Sequence, residues 1–260
     1  MGNTLFTGKV LLHFDELPST NDYAADWLAG VHGKDATKSR PPEGSVVRAD
    51  SQSAGRGQFG SKWESAQGQN LMFSVIYYPA FLPVEDQFLL SQAVALAVAD
   101  TVRMYVQAPV FIKWPNDIYV SDYKVAGILI QNALAGKSIR SSILGIGLNV
   151  NQTEFSDGLK RAGSLARSTG LALDREAVFN DLLVCLEARY LELRSGQFAT
   201  IRSAYLSFLY QKDVKQDFEL PDGTRFSGCI RGVRPDGQLQ IEWGGALHAY
   251  AVKAVQMVWE

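Results

Sequence analysis

The 260-residue chain is 47% hydrophobic, 20% charged and 11% aromatic, a balance that buries a substantial core and excludes a disordered segment or a minimal stapled scaffold. Twenty-five Lys and Arg against 27 Asp and Glu leave a formal net charge of −2, so nothing in the bulk electrostatics attracts nucleic acid or an anionic membrane. Any anion must be held by a local cluster.

Cys185 and Cys229 make no C-x-x-C and no cluster with His13, His32 and His248, which argues against zinc or a disulfide framework and for a reducing cytoplasm. The N-terminus is charged too early for a secretory signal and has Phe6 where myristoylation wants Ser or Thr. Apolar runs at 93–99 and 125–130 fall short of the roughly 18 residues a spanning helix needs, so a soluble protein is expected.

In chain order, Ser19, Thr20 and Asn21 offer caps to a helix carrying Tyr23, Ala24, Trp27 and Leu28. Residues 30–44 are rich in turn formers and read as a loop. A short strand at 46–49, a glycine-rich loop over 51–68 and a β-branched and aromatic strand at 71–78 follow. Phe88, Leu89, Gln92, Ala93, Leu96, Ala97 and Val102 recur at helical spacing, which predicts a long core-facing helix over 85–106. Strands are expected at 110–114, 124–133 and 138–149, then a helix capped by Asp174 and another over 198–208. Beyond Lys212, Pro-Asp-Gly at 221–223 and 235–237 and Gly244-Gly245 separate short apolar runs, the texture of a compact module of about five strands. The chain thus divides into 1–212 and 213–260.

Gly55-Arg56-Gly57-Gln58-Phe59-Gly60 matches the dinucleotide pattern G-x-G-x-x-G, but a strand rather than a helix follows, which removes the geometry that holds a pyrophosphate. Such a loop is either a solvated hairpin or an anion cradle with Arg56 as its fixed charge. Lys113-Trp114-Pro115-Asn116-Asp117 ends an apolar strand, and Lys124 precedes another. These lysines either snorkel to water or converge with Arg56 on one anion, with Asp117 placed for magnesium or as a simple turn residue.

Four ordered blocks resemble the biotin protein ligases: Ser19-Thr20-Asn21; residues 52–63 (QSAGRGQFGSKW) with Gly68-Gln69-Asn70-Leu71; KWPNDIYV with Lys124 and Gly127; and Gly145-Ile146-Gly147-Leu148-Asn149. With the C-terminal β module the likeness covers nearly the whole chain. No helix-turn-helix precedes the blocks, so the resemblance is to the monofunctional ligases that lack a DNA-binding domain.

The resemblance implies an α+β fold: a mixed β-sheet catalytic domain flanked by helices, class II synthetase-like, with a small C-terminal SH3-like β-barrel. It implies an ATP-dependent ligase that makes biotinyl-5′-AMP from biotin and MgATP and passes biotin to a lysine of a biotin carboxyl carrier protein. It also implies no tightly bound cofactor, no nucleic-acid or membrane partner, and a monomer or homodimer.

By the family pattern Arg56, Lys113 and Lys124 are catalytic. Ser19, Thr20, Asn21, Gln52, Gly55, Arg56, Gly57, Gln58, Lys124 and Gly127 hold biotin. Trp63, Asn70, Lys113, Asn116 and Asn149 hold ATP, and Asp117 takes magnesium. For Trp63 the plain alternative is a core aromatic, and for Asn149 a turn residue. The usual loop is Gly-Arg-Gly-Arg, whereas this chain has Gln58, so retention of the adenylate is expected to be weaker unless Lys62, Lys38 or Arg40 supplies the charge. A lipoate or octanoate ligase and a non-catalytic binding module are the competing readings, separable by pyrophosphate exchange.

Overall fold

The computed structural model describes residues 3–31 and 40–259, so most of the 30–44 loop, with His32 and Lys38, lies outside the described residues. The elements are β1 (Leu11–Leu17), α1 (Thr20–Leu28), β2 (Ser45–Gln52), β3 (Leu71–Tyr77), α2 (Gln87–Tyr105), β4 (Val110–Lys113), β5 (Asp117–Val120), β6 (Tyr123–Ala135) and β7 (Ser138–Leu148). There follow α3 (Leu165–Thr169), α4 (Arg175–Arg194), α5 (Phe198–Ser207), β8 (Lys215–Glu219), β9 (Arg225–Val233), β10 (Leu239–Trp243), β11 (Ala246–Tyr250) and β12 (Gln256–Met257).

The first seven strands form one sheet in the order β1-β2-β3-β7-β6-β5-β4, in which β1 and β2 are parallel and the other pairs antiparallel. The last five form an antiparallel, SH3-like sheet in the order β11-β10-β9-β8-β12. This is the α+β arrangement expected.

Period-two alternation sorts the large sheet into two faces. On β3, Leu71, Phe73, Val75 and Tyr77 join α2 and α4 in the main core, while Ile76 turns to the other face with Val47, Ala49 and Ile143. That second face is covered by α1 through Ala24 and Trp27. Ser19 caps α1, its Oγ accepting from Asp22 N at 3.3 Å, and Asp174 caps α4 by accepting from Glu176 N at 2.8 Å. On β2, Arg48 is a buried charge among apolar neighbours. It is tolerated because Nη1 and Nη2 of its guanidinium donate to Glu176, at 2.9 and 2.5 Å, and the group lies over the Phe179 ring. The Arg48 hydrogen bonds hold the Glu176 carboxyl below its ordinary range.

Two strands escape the sequence reading. β1, LLHFDEL, lies at an edge, mostly open to solvent, and His13, Asp15 and Glu16 interrupt its apolar residues, while β5 is only four residues long. The 84–105 stretch also corrects the membrane arithmetic, because it is long and apolar enough to span a bilayer. It is the central core helix instead: α2 packs against α4, α5 and the sheet, and most of its residues are buried.

The two sheets share one core. Phe218, Ile230, Leu239 and Ile241 of the C-terminal sheet belong to the same apolar cluster as Ile112, Tyr205 and Leu209. The second Pro-Asp-Gly turn is the dock: Trp114 Nε1 donates to Gly237 O at 2.8 Å, and Phe88 presses on Gly237. A Cβ at this position would stand 2.9 Å from Phe88 Cδ2, and its φ of +88° favours glycine independently.

Candidate active site

Three glycines on β6 and β7 make the floor. Gly127 and Gly147 face each other across the strands, and Gly145 lies two residues back on the same side of β7. Glycine weakens a strand interior, so three together mark a place where something must come close to the backbone. A Cβ on Gly147 would run into the Trp63 indole, one on Gly127 would stand 3.0 Å from Trp63 Cζ3, and one on Gly145 would overlap Asn21 Oδ1. The glycine loop supplies Arg56, Gly57, Gln58, Ser61, Lys62 and Trp63 to the cavity above this floor, about 170 Å³ in volume.

One end of the cavity, beside Gly145, is polar. Ser19, Thr20 and Asn21 come from the start of α1 and Gln52 from the end of β2. Gln52 Oε1 accepts from Thr20 N at 2.7 Å. Ser74 Oγ lies 2.8 Å from Thr20 Oγ1 and donates to Asn21 Oδ1 at 2.6 Å, while Asn21 Nδ2 donates to Leu129 O and Gln131 Oε1.

The other end, beside Gly127 and Gly147, is charged. Lys124 Nζ pairs with Asp117 Oδ1 at 2.7 Å and lies 5.7 Å from the Trp63 ring centre. Asp117 Oδ1 is buried, and Lys124 is its one partner among the described residues. The lysine backbone is pinned on both sides, its N donating to Arg161 O at 2.7 Å and its O accepting from Gly163 N at 2.8 Å. Arg56 Nη2 pairs with Asp22 Oδ2 in the first turn of α1 at 3.0 Å.

The structure thus brings Ser19, Thr20, Asn21, Gln52, Arg56, Gly57, Gln58, Trp63, Asn116, Asp117, Lys124 and Gly127 to one cavity. Four of the residues singled out in the sequence stand elsewhere. Gly55 lines the neighbouring groove on the outer side of the loop. Asn70 is fully engaged in holding the chain together: Nδ2 donates to Gln152 Oε1 at 2.6 Å and to Ser65 Oγ, and Oδ1 accepts from Val150 N. Lys113 lines a second cavity, between β4 and the C-terminal sheet, with Tyr210 and Trp259. Burial there lowers its ammonium pKa, and neighbouring Asp117 opposes the shift. Asn149, immediately after β7, donates its N to Val125 O and its Nδ2 to Gly163 O, and its buried Oδ1 has no partner among the described residues.

Asp117 as a magnesium ligand is a poor fit, because its buried oxygen is already paired with Lys124. No group of three or more His, Cys, Asp or Glu among the described residues is arranged to hold a metal. Sequence reasoning missed Ser74 and Gln131, which lie beneath the polar end. A lone serine in the apolar run LMFSVIY was the available signal for the first.

A cavity with a polar end, a flat glycine floor and a lysine held by a carboxylate suits an elongated ligand whose polar head is buried and whose far end is anionic. A sequence model described as the biotin/lipoate A/B protein ligase family matches residues 17–149. The chain is 32% identical over 238 residues to the bifunctional ligase/repressor BirA of Bacillus subtilis, spanning 90% of this chain and 70% of that protein. It is also 32% identical over 236 residues to the biotin–[acetyl-CoA-carboxylase] ligase of Mycobacterium tuberculosis, spanning 89% and 84%. Biotin protein ligase from Aquifex aeolicus, solved in complex with biotin and ATP, has the same fold, with a TM-score of 0.78 at 24% identity over 97% of this chain and 100% of that one. The chain belongs to the biotin/lipoate protein ligase family.

Proposed function

We propose that this protein is a biotin protein ligase. It joins biotin to ATP to form biotinyl-5′-AMP, and then passes the biotinyl group to a lysine of an acceptor, the biotin carboxyl carrier domain of a carboxylase. The observation that carries the reading is the Lys124–Asp117 pair beside the glycine floor, opposite a polar head pocket.

In the first step a biotin carboxylate oxygen bonds to the α-phosphorus and pyrophosphate leaves. Two anions meet, so a fixed cation must offset their repulsion, and Lys124 is held for this by Asp117 and by its pinned backbone. In the second step the neutral amine of the acceptor lysine attacks the acyl carbon and AMP leaves. Magnesium belongs to the substrate MgATP, whose phosphates supply oxygen ligands. Asn149 Oδ1, buried and without a partner among the described residues, is an acceptor suited to the exocyclic amine of adenine, and Trp63 on the cavity wall offers a ring face.

The head pocket favours biotin over lipoate. Against a dithiolane and alkyl tail, Ser19, Thr20 and Gln52 would lose partners at about 1–3 kcal/mol for each orphaned group, whereas a ureido ring satisfies them. Biotin-dependent exchange of labelled pyrophosphate into ATP, with none on lipoate, is the expected result. Exchange with lipoate alone overturns the reading, and binding of biotin without exchange makes the protein a binding module.

Gln58 lines both this cavity and the groove beside Asn116 and Phe88. An uncharged amide there is expected to hold the adenylate less firmly than a guanidinium, since hydrogen bonds to charged groups contribute about 1.5–3 kcal/mol against about 1 for neutral pairs. Gln58→Arg should slow release of biotinyl-5′-AMP by roughly tenfold and reduce labelling of bystander proteins. Arg40 does not supply the missing charge, because it donates to Arg140 O and lies over Tyr78. Lys62 does line the cavity, and equal off-rates in the two proteins would show that the missing arginine does not matter here.

A further inference from the structure

Ser74, in the middle of β3, is fully buried beneath Thr20 and Asn21, and its single proton has two acceptors within reach, Asn21 Oδ1 and Thr20 Oγ1. The chain of hydrogen bonds is fixed from its far end. Leu129 O is a backbone carbonyl, which only accepts, and Asn21 Nδ2 donates to it at 3.3 Å and to Gln131 Oε1 at 3.2 Å. The Asn21 amide therefore turns its oxygen toward Ser74, 2.6 Å away. An amide oxygen also only accepts, so the single Ser74 proton is committed to it. Thr20 Oγ1, 2.8 Å from Ser74 Oγ, is a second acceptor within reach of that proton, but one proton cannot serve both, and with it on the closer Asn21 oxygen the Thr20 hydroxyl must supply the proton between the two oxygens. What remains on the Thr20 hydroxyl for the cavity is a lone pair.

A second backbone group fixes Gln52 in the opposite sense. Thr20 N only donates, and Gln52 Oε1 accepts from it at 2.7 Å, so the amide protons of Gln52 are the ones left for a ligand. The head pocket thus carries a built-in polarity, with an acceptor at Thr20 and donors at Gln52.

We infer that Ser74 is a positioning residue for ligand recognition. Acting with Asn21, it holds the Thr20 hydroxyl as an acceptor, so the pocket selects a head group with an N–H opposite Thr20 and rejects one with an acceptor there. This rests on the biotin reading, in which the ureido ring supplies that N–H and its carbonyl takes donors. Asn21 on this account is a link behind the ligand rather than a contact to it.

The test uses biotin and two analogues in which one or the other ureido N–H is replaced by a ring oxygen, giving cyclic carbamates. In the unaltered protein the analogue whose oxygen faces Thr20 is expected to bind about a hundredfold or more weaker than biotin, because two lone pairs oppose each other. Ser74→Ala frees the Thr20 hydroxyl to turn and donate. The penalty on that analogue should fall by about tenfold or more while the penalty on the other stays as it was. The KM for biotin should rise several-fold with kcat and the KM for ATP unchanged. Asn21→Ala breaks the same chain one link earlier and should give the same selective loss, which keeps the proposal testable if Ser74→Ala folds poorly. With Thr20→Val as the starting protein, Ser74→Ala should no longer alter the ratio between the analogues. Equal weakening of all three ligands, or an unchanged penalty in both variants, would show that Ser74 only packs and would overturn the inference. An unaltered protein that binds no biotin would instead overturn the functional reading on which it rests.

Discussion

Lys124→Ala is expected to leave a folded protein whose biotin-dependent pyrophosphate exchange has dropped by several decades. Removing a cation that faces developing phosphate charge in a water-poor site costs roughly 3–5 kcal/mol of barrier, and each 1.36 kcal/mol is about tenfold in rate. The structure adds a second cost. Asp117 Oδ1 has Lys124 as its one partner among the described residues, so the variant leaves a buried carboxylate unpaired beside the place where the ligand's own anion must sit. Combining Lys124→Ala with Asp117→Asn should therefore recover part of the loss in biotin binding without restoring exchange. Near-normal exchange in Lys124→Ala would remove the lysine from the chemistry, and no recovery in the double variant would show that Asp117 is neutralised by another group.

A chain ending at Lys212 is expected to lose its fold as well as its activity. The sequence divides at residue 212, but Phe218, Ile230, Leu239 and Ile241 of the C-terminal sheet lie in the same apolar cluster as α2, α5 and β4. At about 1.5–3 kcal/mol for each buried side chain, their removal rivals the roughly 5–15 kcal/mol that stabilises an ordinary domain. The shortened chain should be poorly soluble and show no cooperative thermal transition. A soluble 1–212 chain that melts cooperatively and still binds biotin would show that the large sheet closes its own core.

The contrast marks where reading the sequence stops. Local chemistry was legible: the Ser19 and Asp174 caps, the apolar period of α2, the Pro-Asp-Gly turns and the residues of the glycine loop all carry their geometry in a few neighbouring side chains. Long-range partnership was not. Lys113 and Lys124 both flank apolar strands, and nothing within either segment says that one meets Asp117 beside the glycine floor while the other lines the cleft with Trp259. Asn70 sits inside a signature block, yet the fold engages all its polar atoms in joining residue 65 to 150 and 152. Ser74 acquires meaning only once β3 lies under the first turn of α1.

The Trp63 indole lies flat enough on the glycine floor to touch Gly127 and Gly147, with its Nε1 buried and unpaired among the described residues. Of the chain's five tryptophans it is the one that lines this cavity. Its fluorescence therefore has a reason to change whenever the floor is occupied, since an arriving ring system must either stack on the indole or displace it into a wetter setting. Stopped-flow emission from Trp63, with the other four replaced by phenylalanine, would time the order in which the two substrates arrive without any label.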